Sequence, residues 1–170
     1  LNMRKYILYF LIIFSCFSKS FFEEYRVENF EKKRIEGTWF EVVKILNKYV
    51  EPWDYSTTTY TGINDKEFII ETRGYDNKKK KNQSAKGIGK IKDNSNIIEA
   101  KFFGFLKRDY IILDYDKKNY TYMVIRGEDS EAFWILSRKP NLDKEIVEEL
   151  IKTGEKTGIK KDKLIYIRQK

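Results

Sequence analysis

From Gly37 onward the chain alternates short apolar or period-two runs with clusters of turn residues, the pattern of successive β-strands rather than helices. Eight runs stand out, at residues 38–46, 55–63, 67–75, 83–91, 97–103, 109–114, 120–126 and 132–138. The second reads Tyr-Ser-Thr-Thr-Thr-Tyr-Thr-Gly-Ile, a β-branched stretch suited to a pleated surface. Between the runs lie Asn64-Asp65, Lys78-Lys79-Lys80-Lys81, Asp93-Asn94-Ser95-Asn96, Asp116-Lys117-Lys118-Asn119 and Gly127-Glu128-Asp129, which are turns and not crossover helices. Short connections imply antiparallel neighbours, and eight such strands rid themselves of exposed edges by closing. Only after Pro140 does the period change. Asp143 is placed to cap a helix with Glu145 in its first turn, and Ile146, Val147, Leu150 and Ile151 make one apolar stripe for the wall beneath. Gly154 or Gly158 stops the helix, and residues 164–168 read as a last strand. The predicted fold is all-β: an eight-stranded up-and-down antiparallel barrel, one C-terminal α-helix packed on its wall, and a short final strand.

The N-terminus has a different character. Met3-Arg4-Lys5 precede a nine-residue apolar run, too short to span a bilayer and suited to a secretory signal. Residues 1–20 are therefore expected to be a signal peptide, with two endings open. Ile13-Phe14-Ser15-Cys16 resembles a bacterial lipobox, which would make Cys16 the acylated first residue; Ser18-Lys19-Ser20 would instead allow ordinary cleavage near Phe21. Residues 21–34 then form a tether and residues 35–170 the barrel domain. With only two prolines and nine glycines, nothing suggests a second domain.

The formal charge is +8, but the lysines are spread through turns and not along one helix face, and no aromatic-and-basic pattern for nucleic acid is present. The four-lysine run fits a solvated loop or attraction to anionic lipid head groups. The chain has no histidine, and Cys16 is its single cysteine. Intrachain disulfides, Ser-His or Cys-His catalysis and a Cys- or His-built metal site are thereby excluded, and neither a cofactor nor enzyme activity is expected.

Two segments carry a family resemblance. Glu36-Gly37-Thr38-Trp39-Phe40-Glu41 opens the first strand, and Trp134-Ile135-Leu136-Ser137-Arg138 closes the last one before Lys139-Pro140 and the helix. Their order and separation resemble the lipocalins. Leu113-Asp114-Tyr115-Asp116-Lys117 resembles that family's middle motif, with Tyr115 and Lys117 departing from its usual residues. Lys101-Phe102-Phe103-Gly104-Phe105 and Phe133 to Pro140 are most similar to the bacterial, apolipoprotein D-like members. The resemblance implies that Trp39 plugs the closed end, that Arg138 packs its guanidinium on the indole, and that Gly37 and Asp116 are structural. It also implies an outer-membrane lipoprotein held through Cys16, with a secreted or periplasmic protein as the alternative.

A barrel of this size encloses room for one small ligand. Parity counted from Trp39 turns Glu41, Val43 and Ile45 inward, and the family's registers add Thr58, Tyr60, Phe68, Ile70, Ala100, Phe102, Tyr110, Ile112, Met123 and Trp134, with Gly87 and Gly89 leaving space. Such walls suit an elongated apolar ligand with a modest polar end, a fatty acid or lysophospholipid. The expected function is storage or transport of that ligand, at a bacterial membrane. A tetrapyrrole or haem carrier, or a structural surface protein, is the other reading. A homodimer stays open.

Overall fold

The computed structural model describes residues 21–169; Cys16 and the signal-peptide reading of residues 1–20 lie outside the described residues. Nine strands form one antiparallel sheet: β1 (Gly37–Ile45), β2 (Asp54–Gly62), β3 (Glu67–Asp76), β4 (Lys81–Ile91), β5 (Ile97–Phe102), β6 (Leu106–Tyr115), β7 (Tyr122–Gly127), β8 (Phe133–Ser137) and β9 (Leu164–Tyr166). Sequence neighbours pair from β2 to β8, β8 pairs with β1, and β1 pairs back onto β2. The first eight strands thus close into the expected barrel. A single longer helix, α1 (Lys144–Glu155), follows β8.

Several strand boundaries differ from the expected ones, β4 starting at Lys81 and β9 ending at Tyr166, and two of the shifts have local reasons. β6 starts at Leu106, three residues earlier than its polar opening suggests, because Phe103 and Gly104 turn through positive φ and set Leu106 opposite Phe102. β7 starts later, because the Asp116 carboxylate accepts from the Lys118 and Asn119 amides and from the Thr121 hydroxyl, holding that loop together. These bonds also hold the Asp116 carboxyl below its usual range, the Thr121 hydroxyl contributing most.

β1 is where the barrel departs from regularity. It pairs with β2 only from Gly37 to Phe40, and β9 takes over at Val43 to Ile45. Beyond β9 the tail bridges the gap: the Ile167 amide donates to Val42, the Tyr55 amide to Arg168, and the Gln169 side-chain amide to the carbonyls of both Glu41 and Ser56. Against β8 the register slips by one residue between Glu41 and Val43, a β-bulge. Because side chains alternate across a strand, one extra residue reverses the facing of everything after it.

The apolar residues fall into two clusters on opposite sides of the wall. The inner one contains Trp39, Tyr60, Phe68, Ile70, Ile98, Ala100, Ile112, Met123, Ile125 and Leu136. The outer one joins Val124, Phe133 and Ile135 to Val147, Leu150 and Ile151 of α1. The helix stripe therefore packs on the barrel. Residues 21–34 are not a free tether throughout. Phe30 is buried in the inner cluster against Tyr115 and Tyr120, Arg34 lies over the Tyr120 ring at 4.2 Å, and the Val27 amide donates to Asn96. A 3-10 turn at Lys32–Ile35 then carries Ile35 under the barrel. The aromatic and aliphatic side chains of this segment account for the difference: exposed, they would forfeit the burial that the floor offers.

Candidate functional site

One end of the barrel is sealed. Trp39 is fully buried, and its indole N–H donates to the Ile35 carbonyl at 2.7 Å. The Arg138 guanidinium lies 3.7 Å from the indole ring and donates to the carbonyls of Thr38, Arg34 and Glu36. Gly37 sits between them with φ +94, where a Cβ would stand 3.2 Å from Arg138 and the backbone conformation would be strained. Phe68 and Met123 complete a floor with no exposed surface.

Above the floor is a buried polar cluster. Glu41 and Lys44, each 2% exposed, form an ion pair at 2.8 Å. The same carboxylate accepts from the Ser56 and Thr58 hydroxyls at 2.7 and 2.9 Å, and Thr58 bonds to Thr72. Desolvating two charges costs several kcal/mol each, so the pair persists only because the carboxylate's lone pairs are filled from three sides. Tyr60 lies close by; burial first, then the Glu41 carboxylate and the Tyr110 phenol, push its pKa well above the ordinary tyrosine value.

Towards the opposite end, exposure returns. Phe102, Tyr110 and Trp134 pack against the inner cluster yet are only half-buried, as are Thr72 and its cross-strand partner Ala85. These side chains face the lumen, so solvent reaches them through the open mouth. Tyr110 and Trp134 meet edge to face at 5.9 Å. Arg108, opposite Ala100 in the register, shares the lumen side of β6, and its charge partly offsets the rise that burial imposes on Tyr110. Trp53, from the β1–β2 loop, packs over Gly74, where a Cβ would stand 2.6 Å from it. Its indole N–H is shielded from solvent and has no hydrogen-bond partner among the described residues. The site is a cup: sealed below, polar at mid-height on one wall, aromatic and accessible above.

The structure assembles Thr58, Tyr60, Phe68, Ile70, Ala100, Phe102, Tyr110, Ile112, Met123 and Trp134 around this lumen. It places Val43 and Ile45 elsewhere, in the outer cluster under α1. The bulge after Glu41 reverses their facing and turns Lys44 inward in their stead. Gly87 and Gly89 do not leave free space either. Their missing side chains accommodate the rings of Phe102 and Phe68, at 2.6 and 2.3 Å from where a Cβ would sit. Lys44, Arg108 and Trp53 were missed by reasoning from sequence. A lone lysine inside Val-Val-Lys-Ile-Leu was the available signal, since such a run has no solvated face to put it on. A separate groove of ≈ 760 Å³ lies on the outer wall, lined by Tyr55, Glu71, Arg73, Asn82, Ser84 and Gln169. Phe40, Tyr75 and Pro140 line it as well, and the outward-facing Phe40, Glu71, Arg73 and Ser84 set it apart from the lumen.

Comparison with known proteins agrees with this architecture. Residues 30–169 match the family model described as a lipocalin-like domain. The chain is 28% identical over 145 residues to the outer membrane lipoprotein Blc of Vibrio cholerae, covering 84% of this chain and 85% of that protein. It is 26% identical over 145 residues to the protein of the same name from Escherichia coli K12, covering 84% and 81%. Among solved structures, lobster apocrustacyanin A1 superposes with a TM-score of 0.68 at 15% identity, covering 82% of this chain and 80% of that one. The cockroach allergen Per a 4 superposes at 0.64 and 15% identity, covering 84% and 90%. At that identity the structural neighbours speak for the fold alone, whereas the family match spans most of the sequence: the chain belongs to the lipocalin-like family.

Proposed function

We propose that the protein binds a small hydrophobic ligand in the open half of the barrel and stores or transports it, the ligand being a fatty acid or lysophospholipid. The observation that carries this reading is the gradient of exposure along the lumen. Phe102, Tyr110, Trp134, Thr72 and Ala85 are half-buried and reachable, while Trp39, Phe68 and Met123 below them are sealed. An acyl chain would cover the aromatic wall. Its polar end has Arg108 and the Trp53 indole N–H, without a partner among the described residues, near the mouth as donors. Carriage and not catalysis suits a lumen whose titratable pair, Glu41 and Lys44, is consumed by its own hydrogen bonds. Relatives carry the name outer membrane lipoprotein, and this chain's single cysteine stands where a lipobox would put it. Attachment to a bacterial outer membrane through an acylated Cys16 is accordingly part of the proposal.

Displacement of a fluorescent fatty-acid analogue by saturated fatty acids and lysophospholipids of increasing length tests the ligand class. Affinity should rise by roughly fourfold per methylene until the open half is full, because each buried methylene contributes ~0.8 kcal/mol. Ala85→Trp should fill that space from β4 and lower affinity at least tenfold, leaving the thermal midpoint unchanged. Affinity indifferent to chain length and to Ala85→Trp would rule out the lumen as an acyl site. Met123→Asp is unsuitable for this purpose: the side chain is fully buried in the floor, and a carboxylate there would unfold the barrel.

A further inference from the structure

The open rim has chemistry that ligand binding within the lumen does not use. The β5–β6 turn presents Phe103 and Phe105 at 60% and 81% exposure, the most exposed phenylalanines among the described residues. Large apolar side chains are seldom left in water side by side without a surface to cover them. Positive φ at Phe103 and Gly104 shapes the turn that projects them. On the neighbouring strand β4, which runs from its last pair with β5 at Gly87 and Phe102 out to Lys81, the β3–β4 hairpin with Lys78, Lys79, Lys80 and Lys81 projects beyond the turn at the same end of the barrel. Lys79 pairs with Asp76 at 3.5 Å, while Lys78, Lys80 and Lys81 have no carboxylate at ion-pair distance among the described residues. Lys101 and Lys107 stand opposite each other at the base of the phenylalanine turn. Lys107 is paired with Glu99 at 2.8 Å. The rim's other acidic groups sit on the opposite side, Glu128, Asp129 and Glu131 on the β7–β8 connection and Glu51 and Asp54 at the β1–β2 loop, with Glu131 paired to Lys163 and Asp54 to Arg168. The rim is therefore amphipathic and lopsided: Asp76 and Glu99 neutralise only Lys79 and Lys107 on the side of the phenylalanine turn, which keeps an excess of aromatic and basic groups, while most of the acidic groups lie on the other side.

We propose that this aromatic and basic side of the open rim docks on the surface of an anionic bilayer, with Phe103 and Phe105 at the boundary between head groups and acyl chains and the lysine hairpin against the anionic head groups. Charge complementarity selects this partner over a neutral surface, since each lysine near an anionic leaflet strengthens binding by roughly fivefold. The course of the N-terminal segment agrees. It climbs the outer wall from buried Phe30 at the floor, past Asn96, to Phe21, whose ring lies 4.0 Å from the Arg126 guanidinium near the end of β7. Four residues lie between Cys16 and Phe21, so an acylated Cys16 would be tied within a covalent reach of at most ~18 Å of Phe21. Inside the mouth, Phe103 adjoins Phe102 at 6.4 Å between ring centres, which makes the apolar surface continuous from rim to lumen. A docked rim would receive an acyl chain from the bilayer without exposing it to water.

The test uses the unacylated chain beginning at Phe21, which retains all nine strands and their closure. Sedimentation with vesicles of mixed phosphatidylglycerol and phosphatidylcholine should show binding that is roughly tenfold or more weaker on phosphatidylcholine alone and weakens as salt is raised. Phe103→Ser with Phe105→Ser, and separately Lys78→Gln with Lys80→Gln and Lys81→Gln, should each lower binding at least tenfold while the circular-dichroism melt stays unchanged. The same three-fold neutralisation at Lys152, Lys156 and Lys160, around the end of α1, should have little effect. Ala85→Trp should bind vesicles normally, so that failure of docking and failure of the lumen as a ligand site are told apart. Absence of binding to anionic vesicles, or equal loss from both lysine sets, would overturn the proposal.

Discussion

Glu41→Ala should destabilise the barrel by about 3–5 kcal/mol, read as a lower urea midpoint with an unchanged slope. The substitution removes one partner of an ion pair in which both residues are 2% exposed. Lys44 is then left as a buried charge without a counterion, and the Ser56 hydroxyl loses its bond to Glu41. An exposed pair of the same geometry would matter little, typically 0–1 kcal/mol by the usual range. What separates the two cases is the replacement of both partners. Glu41→Gln combined with Lys44→Met should recover most of the lost stability, because a neutral pair no longer carries the desolvation cost. A loss under about 1 kcal/mol for Glu41→Ala would mean that water enters the lumen far enough to solvate Lys44.

Arg138→Ala should cost about 2–3 kcal/mol. The guanidinium stacks on Trp39 and donates to three carbonyls, those of Thr38, Arg34 and Glu36, so it ties β1 and the 3-10 turn beneath it to the end of β8. Without it those carbonyls must find water at a half-covered surface. Arg138→Lys should recover less than half of the loss, since a point ammonium can neither lie flat on an indole nor reach three acceptors in a plane. In a Trp39→Phe background the effect of Arg138→Ala should shrink by about 0.5–1.5 kcal/mol, the part that belongs to the stacked contact. Strict additivity of the two changes would show that stacking contributes nothing beyond the hydrogen bonds.

The strand count and the up-and-down order were legible because eight β-type runs are separated by connections too short for anything but antiparallel turns. The closed-end pair was legible as well, since Trp39 and Arg138 sit at the start of the first strand and the end of the eighth. The facing of residues after Glu41 was not. A bulge is a property of two strands in register, and Val42-Val43 looks like any regular pair of residues until β8 is laid beside it. Val43 and Ile45 were misplaced for that reason, and Lys44 was hidden. The glycines of β4 misled for another: a small residue on a lumen face admits a neighbour's ring as readily as a ligand, and here the rings of Phe68 and Phe102 take the space. Trp53 could not be placed at all, because its position depends on how the β1–β2 loop folds back over Gly74.

A ligand held in the lumen above the sealed floor would be reported by the three tryptophans according to their height. Trp134 lines the accessible half, Trp53 lies over Gly74 near the mouth, and Trp39 is the fully buried plug. Titration with a fatty acid brominated in mid-chain should quench the fluorescence of Trp53→Phe strongly, because Trp134 would then touch the chain. The variant carrying both Trp53→Phe and Trp134→Phe, which retains only Trp39, should be quenched several-fold less. Equal quenching of the two variants, or none in either, would contradict the account.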